Sequence, residues 1–318
     1  MYTPRDVEVF LFAHDRPAFL REALDSYLRQ TVGGFRLALL ANAPTPEVLQ
    51  VAKEYAGRGV ELILEPQSLN VYGCVRRCQE LASRSITVLA HDDDWVHPAY
   101  LETLLKCYNR FTKLQVAVSA AGEWDARPFT ADYHTQLVLL KRAEFSAYIF
   151  TGEPFAFSSS SYKTEFFKTA PAPDFARYGK VNDVPFMLGV CHGGEAAVLQ
   201  FPFVKCRIHP QQDSLTFATG PRAREWIELD LCHKREMSQG GRKLRWAYIL
   251  NAFHRLKTGW RDWCVCEHDK MTFKQYLNLA RQMGALDAKR RLFGVLLRGG
   301  VRKACLEKLC SFVRLELK

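Results

Sequence analysis

Between residues 7 and 111 the chain alternates short apolar runs with stretches of helical periodicity, and this alternation restricts the fold more than any other feature. Val7 to Ala13 (VEVFLFA) reads as a central strand. It stops at His14-Asp15-Arg16-Pro17, where Pro17 suits the first turn of a helix. Phe19, Leu20, Ala23, Leu24, Tyr27 and Leu28 then recur at helical spacing and predict a helix over 17–30. Strands are expected at 35–40, 60–64 and 86–90, and helices at 45–57, 73–83 and 98–111. Such a pattern argues for an α/β fold, a doubly wound, mostly parallel sheet with helices on both faces. Ligands of such sheets bind beyond the carboxyl ends of the strands, where Arg16, Asn42 and an acidic triplet all fall.

That triplet is Asp92-Asp93-Asp94, delivered by the β-branched run at 86–90. Three neighbouring carboxylates repel and raise one another's pKa. A divalent cation held by oxygen ligands would relieve the repulsion. An exposed acidic turn at a strand end is the plainer reading of the same residues.

The remainder is less regular. Strands are expected at 114–120, 136–140 and near 197–204, and a polar run lies at 158–161. A Pro-rich loop spans 170–174, and an apolar helix follows Asn182-Asp183. Beyond Thr216 the chain reads as mainly helical. The division expected is 1–215 for the sheet domain (1–98 and 99–215 as its halves), then a helical region over 216–318. At 318 residues the chain is long enough to bury a proper core. Its ten cysteines show no paired zinc spacing and predict reduced thiols in a cytoplasmic setting. Neither a signal peptide nor an apolar run of roughly 18 residues, as a membrane span needs, is expected.

Charge is concentrated at one end. Residues 285–318 hold nine Lys or Arg against three acids, six of the ten net positive charges. Val301, Cys305, Leu309 and Phe312 or Val313 recur at helical spacing among them, and Leu292-Phe293 with Val295-Leu296-Leu297 forms a similar segment. A basic amphipathic helix reads as an element lying on an anionic membrane surface. The alternative is a helix packed on the main domain. No nucleic-acid-binding motif accompanies the charge, so nucleic acid is not expected as a partner.

Four segments in order resemble the inverting glycosyltransferases of family 2, which have the GT-A fold. They are Val9-Phe-Leu-Phe-Ala-His-Asp-Arg-Pro17 with its helix ending Tyr27-Leu-Arg-Gln30; Asn70-Val-Tyr-Gly73; His91-Asp-Asp-Asp-Trp-Val-His-Pro98; and Cys206-Arg-Ile-His-Pro-Gln-Gln-Asp-Ser214. The resemblance covers roughly 5–215. It departs at Ala41-Asn42-Ala43-Pro44, where the family usually shows Asp-Asp/Asn-Gly-Ser and its acidic residue reads the nucleotide base.

The resemblance implies a divalent cation, Mn²⁺ or Mg²⁺, and a nucleotide-diphosphate sugar donor. It implies Asp94 as the direct metal ligand, with Asp92 and His209 as further ligands and Asp92 or Asp93 near the ribose or a metal-bound water. Ala13, His14, Arg16, Asn42, Asn70 and Arg76 become nucleotide contacts, and Arg207 a partner for phosphate or a solvated residue. Asp183 becomes the general base, against its plainer role as a helix N-cap. Trp95 and Trp124 are sugar-stacking or core residues. The acceptor implied is a lipid-linked or polysaccharide glycan at the cytoplasmic face of a membrane, with the protein peripheral to it. Two rivals stand: a nucleotidyltransferase, which lacks support because no Gly-rich phosphate loop follows the first strand, and a non-catalytic binding subunit, to which the altered Asn42 segment lends weight.

Overall fold

The structure is a computed structural model that describes residues 1–123, 127–130, 132–152, 155–209, 222–261, 271–287, 290, 292, 300–310 and 312–317. Trp124 and the segment Pro210 to Ser214 lie outside the described residues, as do Phe293, Val295, Leu296 and Leu297 of the tail. Strands β1 (Val7–Ala13), β2 (Arg36–Asn42), β3 (Glu61–Glu65) and β4 (Ile86–His91) run parallel in the order β4-β1-β2-β3. Helices α1 (Pro17–Leu28), α2 (Pro46–Ala56), α3 (Val71–Leu81) and α4 (Tyr100–Arg110) follow them in turn. Each expected element of this half is present, with no end moved by more than two residues.

Period-two alternation explains the two-sided burial. On one face Val9, Leu11, Leu39 and Val88 pack with Leu20 and Leu24 of α1, Val48 of α2 and Leu101 of α4. On the other, Phe10, Phe12, Leu40 and Leu89 pack with Val75 and Cys78 of α3. Each such side chain contributes about 1.5–3 kcal/mol on leaving water. Register then aligns the strand ends: Phe12 pairs with His91, Ala13 with Ala41, and Asn42 with Glu65. Four chain segments thereby leave the sheet at one edge.

The second half extends the same sheet. Its strands are β5 (Trp95–Val96), β6 (Leu114–Glu123), β7 (Gln136–Lys141), β8 (Ala156–Lys163) and β9 (Glu195–Cys206). β8 inserts antiparallel between β4 and β6, while β6 pairs parallel with β9. The sequence signals only a polar run at 158–161, yet all four serines are buried in β8. Three of the four hydroxyls bond, those of Ser158, Ser159 and Ser161: Ser159 accepts from the Ser119 N–H at 2.9 Å, and Ser161 donates to the Ala117 carbonyl at 3.2 Å. Helices α5 (Arg142–Phe150), α6 (Thr164–Thr169), α7 (Phe175–Tyr178) and α8 (Asp183–Val190) cover this half.

Helices α9 (Arg222–Gln239), α10 (Arg242–Gly259), α11 (Phe273–Gln282) and α12 (Gly300–Leu309) follow. They join the sheet domain through Ala147 and Phe150 of α5, which share a core with Met237, Tyr248 and Leu306. The basic tail departs from expectation. The helix ends at Leu309 instead of continuing to Val313, and residues Arg314–Glu316 form β10, an edge strand antiparallel to β7. Leu317 is buried in the sheet core, and its N–H donates to the Thr135 carbonyl at 3.0 Å. Edge pairing with the apolar β7 satisfies backbone groups that a further helical turn would have left to water.

Candidate active site

The aligned strand ends open into a cleft of about 670 Å³ lined by Ala13, His14 and Arg16 from the β1 end, Asn42 from β2, Asn70 from the α3 start, His91 and all three aspartates, and Asp183 from α8. Asp92 and Asp93 share Arg16, whereas Asp94 has other partners. Asp92 is fully buried and its Oδ1 pairs with Arg16 Nη2. Asp93 Oδ2 pairs with Arg16 Nη1 at 2.6 Å and with His209 Nε2 at 3.0 Å. Asp94 accepts from the Ser158 hydroxyl and from the Arg207 backbone N–H at 3.0 Å.

Burial pushes the Asp92 carboxyl up to about 7 despite Arg16. Burial, reinforced by neighbouring Asp93, pushes Asp94 up to about 6. For Asp93 burial also acts upward, but His91, Arg16 and the His209 hydrogen bond outweigh it and hold the group below its ordinary value. One guanidinium therefore compensates two carboxylates, and the site retains a negative excess.

A divalent cation fits that excess. His91, Asp93 and Asp94 each offer a ligand atom, all within 4.8 Å of one another. His91 Nε2 is buried without a hydrogen-bond partner, as is Asp92 Oδ2. An oxygen-rich donor set with one imidazole suits Mn²⁺ or Mg²⁺. The set differs from the expected Asp94, Asp92 and His209. Asp92 is turned to Arg16, and His209 Nε2 donates to Asp93, with the ring 5.0 Å from Phe19. His91 was missed because a residue closing an apolar strand gives no separate signal; its place at the head of the triplet was the available one.

Asp183 lines the same cleft from the first turn of α8, where Asn182 occupies the cap position without a side-chain cap bond. Asp183 Oδ1 accepts only from the Val184 N–H among the described residues, at 2.9 Å. Burial lifts its carboxyl to about 6. The Asp side chain thus does not serve as the N-cap.

Other expected contacts hold different places. The Asn42 amide is engaged with Leu69, donating to its carbonyl and accepting from its N–H, both at 2.8 Å. It fastens the loop before α3, so it is not an unengaged base-edge donor. Ala43 beside it has φ 44°, a left-handed backbone that glycine adopts more readily. His14 Nδ1 donates to the Asn42 carbonyl at 2.6 Å. Asn70 caps α3 by accepting from the Gly73 N–H at 2.8 Å, and a Cβ on Gly73 would meet the Leu69 Cβ at 3.0 Å.

Arg76 does not reach the cleft. It is 71% exposed and lies 3.9 Å from Glu80, because α3 turns Tyr72, Val75 and Gln79 inward. Arg207 braces the triplet: its Nε donates to the Asp93 carbonyl at 3.1 Å, its Nη2 pairs with Glu22, and its guanidinium lies over Phe19. Trp95 packs beneath it and donates to Glu22 at 2.9 Å.

The sequence model described as Glycosyl transferase family 2 matches residues 8–164, the stretch from β1 through β8 that holds the triplet. Residues 8–164 belong to this family. Among solved structures, this glycosyltransferase is similar to S. aureus TarS 1–349 in complex with UDP-GlcNAc, with a TM-score of 0.63 at 12% identity over 90% of this chain and 83% of that one. It is also similar to mannosyltransferase PcManGT from Pyrobaculum calidifontis in complex with GDP-Man and Mn²⁺, with a TM-score of 0.53 at 15% identity over 98% and 87%. Glucosyl-3-phosphoglycerate synthase from Mycobacterium tuberculosis, solved with Mn²⁺, UDP and phosphoglyceric acid, gives 0.50 at 15% over 72% and 78%. These likenesses establish the GT-A fold. No curated protein matches the sequence.

Proposed function

We propose that this glycosyltransferase moves one sugar from a nucleotide-diphosphate donor to an acceptor hydroxyl with inversion at the anomeric carbon. The observation that carries the reading is the convergence, on one cleft, of a carboxylate triplet, two of whose members pair with Arg16, and a separate acid, Asp183. Asp183 takes the acceptor hydroxyl proton as that oxygen bonds to the anomeric carbon. The bond to the phosphate oxygen breaks in the same displacement and the nucleoside diphosphate departs. A carboxyl poised near 6 is ionised at neutral pH and retains basicity. Arg16 faces the diphosphate from the β1 end, with His14, Asn70 and the Ala13 backbone around the nucleotide. His91, Asp93 and Asp94 would hold a divalent cation, which supplies Lewis-acid neutralisation of the leaving group when bound. The Mn²⁺ and nucleotides bound by the proteins of similar fold support this assignment.

Residues 1–215 form the transfer domain in this reading, with 1–98 on the donor side and 99–215 on the acceptor side, and 216–318 extend it. Incubating a donor with Mn²⁺ tests the reading. Release of nucleoside diphosphate is expected; pyrophosphate would indicate a nucleotidyltransferase, and no turnover of any donor would favour the binding-subunit alternative.

The acceptor proposed is a lipid-linked or polysaccharide glycan, with the enzyme peripheral on the cytoplasmic face of an anionic membrane. Support comes from Leu292 and Val301, 56% and 60% exposed among the tail's cations. Surface cations each contribute about 1 kcal/mol near anionic lipid. No helix among the described residues is long and apolar enough to cross a membrane. Flotation with phosphatidylglycerol vesicles is expected for the full chain and reduced for Val301→Asp with Lys308→Glu; equal flotation refutes the membrane contact. Deleting 285–318 is a poorer test, since β10 and Leu317 belong to the sheet.

A further inference from the structure

We infer that Ser158 is a positioning residue for the cation site, holding the Asp94 carboxylate in place without neutralising it. The inference rests on the metal reading above and concerns a residue that reading does not use. The three aspartates are held in chemically different ways. Asp92 and Asp93 pair with the Arg16 guanidinium, and Asp93 also with His209. Among the described residues, Asp94 has only neutral donors: the Ser158 hydroxyl on Oδ2 and the Arg207 backbone N–H on Oδ1.

A neutral donor fixes a carboxylate's orientation and leaves its formal charge for a cation. A guanidinium in the same place would compete with that cation. Groups that hydrogen-bond a metal ligand from behind commonly govern affinity as strongly as this arrangement implies.

The fold delivers the hydroxyl deliberately to that spot. β8 pairs antiparallel with β4, Ser161 opposite Val88. Three residues back along β8 from that pair, Ser158 lines the cleft beside Asp94. Neighbouring hydroxyls go elsewhere: that of Ser159 donates to the Ala156 carbonyl at 2.5 Å, and that of Ser161 meets the Tyr108 hydroxyl at 3.2 Å. Ser158 itself is 4% exposed, so its hydroxyl would be costly there without the carboxylate to receive its proton. Ser160 shares its face of the strand yet donates to no carboxylate among the described residues. It is the natural control.

The test is the affinity of the full-length protein for Mn²⁺ in the presence of UDP and, separately, GDP, read as free Mn²⁺ by electron paramagnetic resonance. Ser158→Ala is expected to weaken binding about 10–100-fold. Ser158→Thr, which keeps the hydroxyl, should restore most of it, and Ser160→Ala should match the unaltered chain. If Ser158→Ala does not fold, Ser158→Cys, with its weak donor, should show the loss in its place. Unaltered affinity in the folded Ser158 variant, or an equal loss in Ser160→Ala, overturns the inference alone. Absence of Mn²⁺ binding by the unaltered protein with either nucleotide overturns the metal reading along with it.

Discussion

Asp94 and Asp230 are both nearly inaccessible carboxylates, and burial lifts both, to about 6 and about 7. Asp94 stands at the carboxyl edge of a parallel sheet among two further acids, an imidazole and an open cleft. Asp230 lies on α9, with Arg255 of α10 offsetting part of the burial effect. One turn along α9, burial and Arg255 push His233 down to about 3, and its Nδ1 meets the Ser146 hydroxyl at 2.9 Å. Neither Asp230 nor His233 lines the cleft. Burial alone therefore perturbs acids equally in a scaffold and in a site. What separates the two is convergence: parallel strands bring several ends to one edge, whereas two packed helices bring one face to another.

That contrast breaks if the two acids respond alike to substitution. Asp94→Ala is expected to reduce sugar transfer below detection while circular dichroism shows an intact fold; full activity would remove the cleft's claim. Asp183→Asn should lower kcat by about 10²–10⁴-fold. The same variant should gain about 1–3 kcal/mol of stability at pH 8, because it removes a buried charge. A loss of stability in urea titrations would return Asp183 to a capping role.

Acidity sharpens the same point. Asp183 is raised from 3.8 to about 6, so kcat/KM should fall as pH drops through 6 and the base is protonated. Its contribution to stability has the opposite sense. The folded state holds the proton more tightly, so the contribution is fully present below about 4 and is lost as pH rises through 6. Comparing the pH dependence of melting for the protein and Asp183→Asn isolates this term; parallel curves would contradict it.

Asp230→Ala marks the scaffold side. At pH 6, where burial keeps most of this carboxyl protonated, it should destabilise the protein by about 1–2 kcal/mol through lost packing of a buried side chain, with turnover per folded molecule unchanged. Loss of turnover without loss of stability would erase the distinction between the two clusters. The smallest effect belongs to Arg76→Ala, where an exposed pair with Glu80 contributes under about 1 kcal/mol and steady-state kinetics should not change.

The sequence by itself determined the parallel half of the sheet, the edge at which the cleft opens and the presence of the acidic triplet there. Periodicity is a local property, and strand ends are written next to the strands that bear them. Tertiary structure decided which acid faces which partner. Arg16 meets Asp92 and Asp93 across more than seventy residues, and Ser158 reaches Asp94 from a strand whose polar composition hides its burial. It also decided that the end of the basic tail joins β7 as a strand, an outcome set by a sheet edge far away in the chain. Side-chain pairing depends on register between distant segments, and no local pattern encodes that register.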